Sequence, residues 1–318
     1  MRRVQNTNSL LRLWSDEKSF IIGVSGGPDS LCLLDVFRLL SEKHGFKLHI
    51  AHVNYRLRGA ASDQDEALVR ERAAKHNLPI TVFRPKQPSK GNLEESLREE
   101  RYAFFERLRQ KLGYDLIVVA HNEDDQAETL LLRLLRGAGL QGLSAMRAKS
   151  GTVIRPLLTM SRQDILQYLH ERDISYREDG SNADRRFMRN RIRHELIPLL
   201  ERDFQARAKK VLARAAATLA EEYALLESAA PAVLDIKTSG RKVSFSRAEA
   251  VALPPLVLAR ELRRLFAAFS LGKPPEKGVV DEWMKAIRSG KGKVQRVDLR
   301  GLKLERKGDT VTLLNSAH

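Results

Sequence analysis

Six consecutive residues, Ser25-Gly26-Gly27-Pro28-Asp29-Ser30, carry the densest chemistry in the chain. They join an apolar run at 20–24 to an amphipathic run at 31–40, so a buried strand turns sharply into a helix. Two glycines let the backbone approach a ligand closely, and the first N–H groups of the helix point outward without partners. The helix dipole adds partial positive charge, which makes phosphate the natural occupant. No Gly-Lys-Ser/Thr follows, so the loop is not a Walker A, and the spacing is not Gly-x-Gly-x-x-Gly. An ordinary N-capped strand-to-helix turn is the plain alternative.

A second segment, His121-Asn122-Glu123-Asp124-Asp125-Gln126-Ala127-Glu128, follows another apolar run. Several carboxylates beside a phosphate loop are costly unless a cation joins them, and Mg²⁺ prefers such oxygen ligands. On a helix, Asp125 and Glu128 lie one turn apart, as do His121 and Asp125. A simple acidic helix start is the alternative here. The run His52-Val53-Asn54-Tyr55-Arg56-Leu57-Arg58 places two arginines and an Asn where adenine, ribose or a substrate phosphate would sit. Asp63 and Asp65 are expected as ordinary first-turn acids of the next helix. Glu94, Arg98, Arg101 and Tyr102 share one helical face, a pattern that is most often merely solvated. Arg185, Arg186, Arg189, Arg191 and Arg193 crowd five guanidiniums into nine residues, beside Asn190 and His194. Such charges repel one another unless they bind phosphate.

The elements that must position these groups alternate. Strands are expected at 19–24, 47–53, 79–84 and 115–120, and helices at 29–43, 62–76, 93–111 and 124–136. Short apolar strands separated by such helices indicate an α/β fold with a doubly wound parallel sheet, whose strand C-termini share one ligand-binding edge. A loop at 137–143, a strand at 152–155 and a helix from a capping Ser161 to about 172 follow. A helix over 184–201 would end before Pro198 or kink there. An Ala-rich helical connector at 206–229 leads to a smaller α/β module at 232–318. Two domains are therefore expected, a nucleotide-binding one at 1–205 and a basic accessory one at 206–318.

The chain of 318 residues has a formal net charge of +16. Residues 206–318 carry 22 Lys/Arg against 12 Asp/Glu, so about a third of the chain holds most of the excess. ATP alone does not need such a balance, whereas a nucleic acid does. No apolar run is long enough to span a membrane and the first residues do not form a signal peptide, so a cytoplasmic location without a membrane partner is expected. The single cysteine, Cys32, rules out disulfide frameworks within the chain and Cys-rich metal sites, and it is expected as a small buried hydrophobe.

The loop at 25–30 resembles the SGGxDS pyrophosphate loop of the N-type ATP pyrophosphatases, which cleave ATP between the α- and β-phosphates. Together with HVNYRLRGAAS at 52–62, NLEESLREERY at 92–102, AHNEDDQAET at 120–129, RPLL at 155–158 and EDGSNADRRFMRNRIRHELIPLL at 178–200, it resembles the tRNA(Ile)-lysidine synthetase family. Tyr55 stands where many members carry a His, and the resemblance of 215–318 to an accessory domain is loose. The resemblance implies a PP-loop, adenine nucleotide alpha hydrolase-like fold. It also implies a ligase that joins lysine to the wobble cytidine of the isoleucine tRNA with a CAU anticodon, through an adenylated cytidine. Substrates and cofactor would be ATP, lysine, that tRNA and Mg²⁺; a homodimer stays open. Ser25, Gly26, Gly27, Pro28 and Ser30 would hold pyrophosphate, with His52 and Asn54 also at ATP. Asp29 and Asp125, with Asp124 as a substitute, would hold Mg²⁺. Arg101 and Arg193 would stabilise charge on the α-phosphate, and His121 would position ATP or the base. Arg185, Arg186, Arg189 and Arg191 would contact tRNA. The rivals are another ATP pyrophosphatase acting on a different RNA base or a small molecule, and a non-catalytic RNA-binding protein.

Overall fold

The computed structural model describes residues 16–85, 93–177, 187–229, 232–240, 242–269, 277–290, 294–299 and 302–315. Two compact units divide at Tyr223 and Ala224. In the first, the strands β1 (Ser19–Gly23), β2 (Lys47–Val53), β3 (Ile80–Phe83), β4 (Leu116–Val118), β5 (Lys149–Ser150) and β6 (Val153–Ile154) form one sheet in the order β3-β2-β1-β4-β6-β5. All neighbours are parallel except the edge pair β5–β6. The strand order reverses between β1 and β4, which pair directly with Phe20 opposite Leu116. That reversal opens a crevice beyond the carboxyl ends of those two strands.

Side-chain alternation along β1 explains why both faces of the sheet are covered. Phe20 and Ile22 enter a core with Leu33 and Phe37 of α1 (Pro28–His44), Val69 of α2 (Ala60–Lys75), and Ile165 and Leu169 of α6 (Arg162–Glu171). Ile21 points to the other face, against Phe104, Phe105 and Leu108 of α3 (Leu93–Leu112). Gly23 is needed for that second contact, because a Cβ there would lie 2.9 Å from the Phe105 ring.

The remaining helices of this unit are α4 (Glu123–Leu135), α5 (Leu140–Leu143), α7 (Met188–Arg191), α8 (Ile197–Asp203) and α9 (Ala208–Ala229). Three expectations are corrected. Asn122 caps α4, so His121 lies before the helix and not one turn from Asp125 upon it. Residues 140–143 of the expected loop form the short α5. The expected helix at 184–201 is described only from 188 and is interrupted by a π turn at Ile192–Leu196, which ends two residues before Pro198. A proline removes an i→i−4 hydrogen bond, and a π turn absorbs the mismatch without ending the helix. The two units divide inside α9, whose first-half residues Leu212, Ala216 and Leu219 pack with α4 residues such as Leu130 and Leu131.

The second unit is an antiparallel sheet of β7 (Lys237–Ser239), β8 (Lys242–Ser246), β9 (Gln295–Leu299), β10 (Leu302–Lys307) and β11 (Thr310–Asn315), in the order β7-β8-β11-β10-β9. Its core joins Val243, Phe245, Leu304, Val311 and Leu313 to α10 (Arg247–Ala252), α11 (Pro255–Phe269) and α12 (Lys277–Arg288), with Trp283 fully buried.

Candidate functional site

The 25–30 loop leaves β1 and forms the N-terminus of α1. Gly26 takes φ +94°, a left-handed conformation that glycine adopts without strain. Ser30 closes the loop: its Oγ accepts from the Ser25 N–H at 3.1 Å and donates to the Gly27 carbonyl at 2.8 Å. Gly27 is the N-cap without a side-chain cap and Pro28 brings no N–H, so the first-turn amides after it face outward. A backbone arranged in this way can cradle a phosphate.

Asp29, in that first turn, receives Asn122 Nδ2 at 3.1 Å and a short ion pair from Arg162. Burial pushes its pKa up; Arg162 opposes the shift, and the charge of Asp125 adds to it. Asp29 and Asp125 therefore sense one another across the β1–β4 switch, where α1 and α4 begin. Asp125 has two duties. Its Oδ2 accepts from the Asn122 N–H at 3.0 Å in a capping box, and its Oδ1 receives Arg189 at 2.8 Å and Arg193 at 3.4 Å. Glu128, 1% exposed, takes Arg189 at 2.8 Å and also pairs with Arg193. Asp124 turns elsewhere, accepting from the Arg162 backbone N–H at 3.2 Å and pairing with Lys209 at 3.0 Å.

Among the described residues no three acidic, His or Cys side chains converge as a metal cage. Mg²⁺ does not require one, since it keeps several waters and is held by one or two carboxylates plus substrate phosphates. Asp29 fits that use: its half-buried carboxylate, beside a second negative charge, already draws in a cation, Arg162. Asp125 fits as the second donor.

His121 lies at the same edge with its Nδ1 shielded and unpartnered. Burial, followed by the charges of Arg98, Arg155, Arg189 and Arg101, holds its pKa well below the usual imidazole range, so it is neutral near pH 7. Arg98 and Arg101 stack over Tyr102, at 5.4 and 5.8 Å from its ring centroid.

The β2 segment is not open in the same way. His52 is buried, with Nδ1 on the Val24 carbonyl at 2.8 Å, so it supports the loop from behind. Asn54 is 2% exposed; its amide donates to Asp63 and Glu66, both at 3.0 Å, and its oxygen accepts from the Arg56 N–H. The structure thus does not bring His52 and Asn54 to the open face of the loop. Asp65 pairs with Arg58 and Arg177 and lies beyond the first turn of α2, where Asp63 is the acid, so its expected place as a first-turn acid is corrected. Arg189, expected on an RNA track, is tied to the buried Asp125–Glu128 pair beside Arg193. Arg191 is exposed and pairs with Glu195 at 3.4 Å. Arg185 and Arg186 lie outside the described residues. Sequence reasoning placed Glu128 beside Asp125 without giving it a role, and it missed Arg162. The i, i+3 spacing of Glu128 from Asp125 was the available signal for the first, and Arg162 had none.

A PP-loop domain model matches residues 2–200. The chain belongs to the PP-loop family. Three curated proteins are similar to this PP-loop chain, each a tRNA(Ile)-lysidine synthase. That of Geobacter sulfurreducens is 43% identical over 234 residues, covering 71% of this chain and 49% of the relative. That of Solibacter usitatus is 37% identical over 265 residues, 81% and 58% of the two chains. That of Chlorobaculum tepidum is 39% identical over 198 residues, 61% and 60%. The chain thus spans about half the length of the first of these relatives. Among solved structures, the U34-tRNA thiolase NcsA of Methanococcus maripaludis, with its [4Fe-4S] cluster, matches with a TM-score of 0.54. It is 17% identical and covers 68% of this chain and 79% of its own, so the shared property is the PP-loop fold. No helix among the described residues is long and apolar enough to cross a membrane.

Proposed function

We propose that this PP-loop protein is a ligase that adenylates the wobble cytidine of an isoleucine tRNA with a CAU anticodon and then joins lysine to it. The observation that carries the reading is the meeting of the phosphate cradle and the Asp125–Glu128 segment at the ends of two paired strands, β1 and β4. The similarity to tRNA(Ile)-lysidine synthases supplies the substrate class.

In the first step the cytosine 2-carbonyl oxygen attacks the α-phosphate, and the bond to the β-phosphate oxygen breaks. Ser25, Gly26, Gly27 and Ser30 hold the departing pyrophosphate through amide and hydroxyl donors. Asp29 and Asp125 would hold Mg²⁺, which supplies charge neutralisation of the phosphates when bound. Arg193 and Arg101 stand at the same edge, where guanidiniums offset charge growing on the α-phosphate. In the second step the lysine ε-amine attacks the activated ring carbon, AMP leaves with the oxygen, and the amine loses a proton. Neutral His121 orients the base or nucleotide by hydrogen bonding without adding charge. The basic excess of residues 206–318 neutralises tRNA phosphates.

Incubation with ATP, Mg²⁺, labelled lysine and unfractionated tRNA tests this directly. Lysine should enter one isoleucine tRNA with one AMP and one pyrophosphate formed per lysine. Incorporation into no RNA, or release of ADP and phosphate, rules the reading out.

A further inference from the structure

The Gly26–Gly27 peptide is the part of the loop most easily turned over. Rotating a trans peptide changes ψ of the residue before it and φ of the residue after it, and here both residues are glycine, which tolerates either orientation. The two orientations are not equivalent for a phosphate. Carbonyl and N–H point opposite ways in a trans peptide, so a flip puts an acceptor where a donor stood. In the structure the Gly26 carbonyl accepts from the Arg177 N–H at 3.2 Å. The Gly27 N–H is thereby aimed to the opposite side, toward the Oγ of exposed Ser25 at a long 3.4 Å. The next carbonyl, that of Gly27, is held from within the loop and α1, by Ser30 Oγ and the Leu31 N–H. The Gly26 carbonyl is held from outside.

The Arg177 side chain is clamped to α2. Its Nε donates to Asp65 at 2.8 Å and its Nη2 to Gln64 at 2.7 Å. Asp65, 8% exposed, also accepts from Arg58 at 2.6 Å, so its carboxylate is fixed from two sides. α2 in turn lies directly on the loop, since a Cβ on Gly26 would come within 3.4 Å of the Asp65 carbonyl oxygen. Ser175 is tied to α2 separately, by Arg72, so the Arg177 side chain sets only the last peptide of this segment.

We propose that Arg177, anchored by Asp65, is a positioning residue that fixes the Gly26–Gly27 peptide and so aims the Gly27 N–H at the pyrophosphate of ATP. It acts through the loop and touches no reacting atom. A tie that only joins α2 to the segment after α6 is the plain alternative. With 40% of the Arg177 side chain exposed, such a tie adds little stability.

The proposal rests on the reading of residues 25–30 as the pyrophosphate cradle, and not on the identity of the RNA or the amine. Calorimetry of the full chain with inorganic pyrophosphate, ATP and AMP, each with Mg²⁺, tests it. In Arg177→Ala the held orientation should fall to roughly a tenth of the population, which weakens pyrophosphate and ATP by roughly tenfold. AMP, which lacks the β- and γ-phosphates, should bind as before. Asp65→Asn should act in the same direction. Arg177→Lys, which keeps a charge beside Asp65, should recover most of the loss. Amide exchange reads the bond itself: the residue-177 N–H should exchange roughly tenfold faster in Arg177→Ala, with the Leu31 N–H unchanged. Unchanged pyrophosphate affinity in a folded Arg177→Ala protein overturns the proposal, as does equal weakening of AMP or a lysine variant no better than alanine. An Arg177→Ala protein altered only in its urea midpoint overturns it too, since that marks a mere tie. A wild-type protein that binds no pyrophosphate, and ATP no more tightly than AMP, overturns the cradle itself and this proposal with it.

Discussion

The carboxyl ends of β1 and β4 and the carboxyl end of β2 share one edge of the sheet, yet their charges are arranged in opposite ways. Beyond β2, every acid is matched within the protein. Asp65 binds Arg58 and Arg177, Asp63 accepts from Asn54, and Glu66, 5% exposed, accepts from Asn54, Arg70 and Arg84. Beyond β1 and β4, Asp29 and Asp125 are paired with Arg162 and with Arg189 and Arg193, yet each still feels the other's charge, and His121 Nδ1 sits unpartnered near Arg98, Arg101 and Arg155, for which no carboxylate partner is seen among the described residues. A satisfied polar network fixes a backbone, whereas an unsatisfied one at a sheet switch point awaits a ligand. Dense charge alone therefore does not identify a site. The balance left after local pairing does.

The largest effect should come from the unbalanced side. Asp29→Asn should slow pyrophosphate release by roughly 1,000-fold, the scale of losing a group aimed at transition-state charge. Its stability should stay level or rise. Burial raises the folded-state pKa of Asp29 above its ordinary 3.8, so the folded protein holds this proton more tightly than the unfolded chain. Stability from this group is greatest at low pH and declines as pH rises through the folded value, so at neutral pH the ionised carboxylate opposes folding. Rates and urea midpoints measured together decide it, and a fast or strongly destabilised variant breaks the comparison.

On the balanced side the opposite pattern is expected. Glu66→Ala should lower stability by about 3 kcal/mol, because it strands buried Asn54 and unpairs two arginines. The turnover of the remaining folded protein should be nearly normal. A slow but stable Glu66→Ala protein would place this network in catalysis and erase the distinction.

The histidines sharpen it further. His52 and His121 both have folded pKa values lowered first of all by burial, from an ordinary 6.5. As pH falls below that value the unfolded chain takes up protons that the folded protein refuses, so stability should be lost on the acid side. Urea midpoints from about pH 7.5 to 5.5 should show this loss, and His52→Gln should flatten it. The rate should show no inflection from His121, which stays neutral throughout.

The smallest effect belongs to the second unit. Arg296 and Lys303 are 75% and 54% exposed in their side chains, in pairs with Glu305 and Asp298. Replacing both by Gln should change stability by no more than about 0.5 kcal/mol. If they face tRNA, the slope of log affinity against log salt should become shallower by roughly 0.7–0.9 for each phosphate that is no longer neutralised. An unchanged slope removes these two from the RNA surface.

Periodicity carried most of the fold. The strand expected at 47–53 is β2 residue for residue, and the helix expected at 93–111 is α3 to within one residue. Alternating apolar runs state their own element type because each must bury one face or two. The loop at 25–30 was legible for the same reason, since a Gly-rich turn between strand and helix has few alternative uses. Pairing was not legible. Arg162 reaches Asp29 across 133 residues, and nothing in the local sequence of either announces it. The positions of Asn54 and His52 at a strand end were readable, whereas the partners that engage the Asn54 amide and leave the buried His52 Nε2 without one were not. The π turn at Ile192–Leu196 was half visible: Pro198 announced a disturbance but not its form.

The central claim is that the β1–β4 switch is where the bond between the α- and β-phosphates of ATP is broken onto RNA. Its most direct measurement is the fate of labelled ATP in a single turnover with tRNA(Ile) and Mg²⁺ but without lysine. The account predicts pyrophosphate and an RNA carrying one adenylyl group, both absent with Asp29→Asn. Formation of ADP and phosphate, or pyrophosphate release that persists in Asp29→Asn, would contradict it.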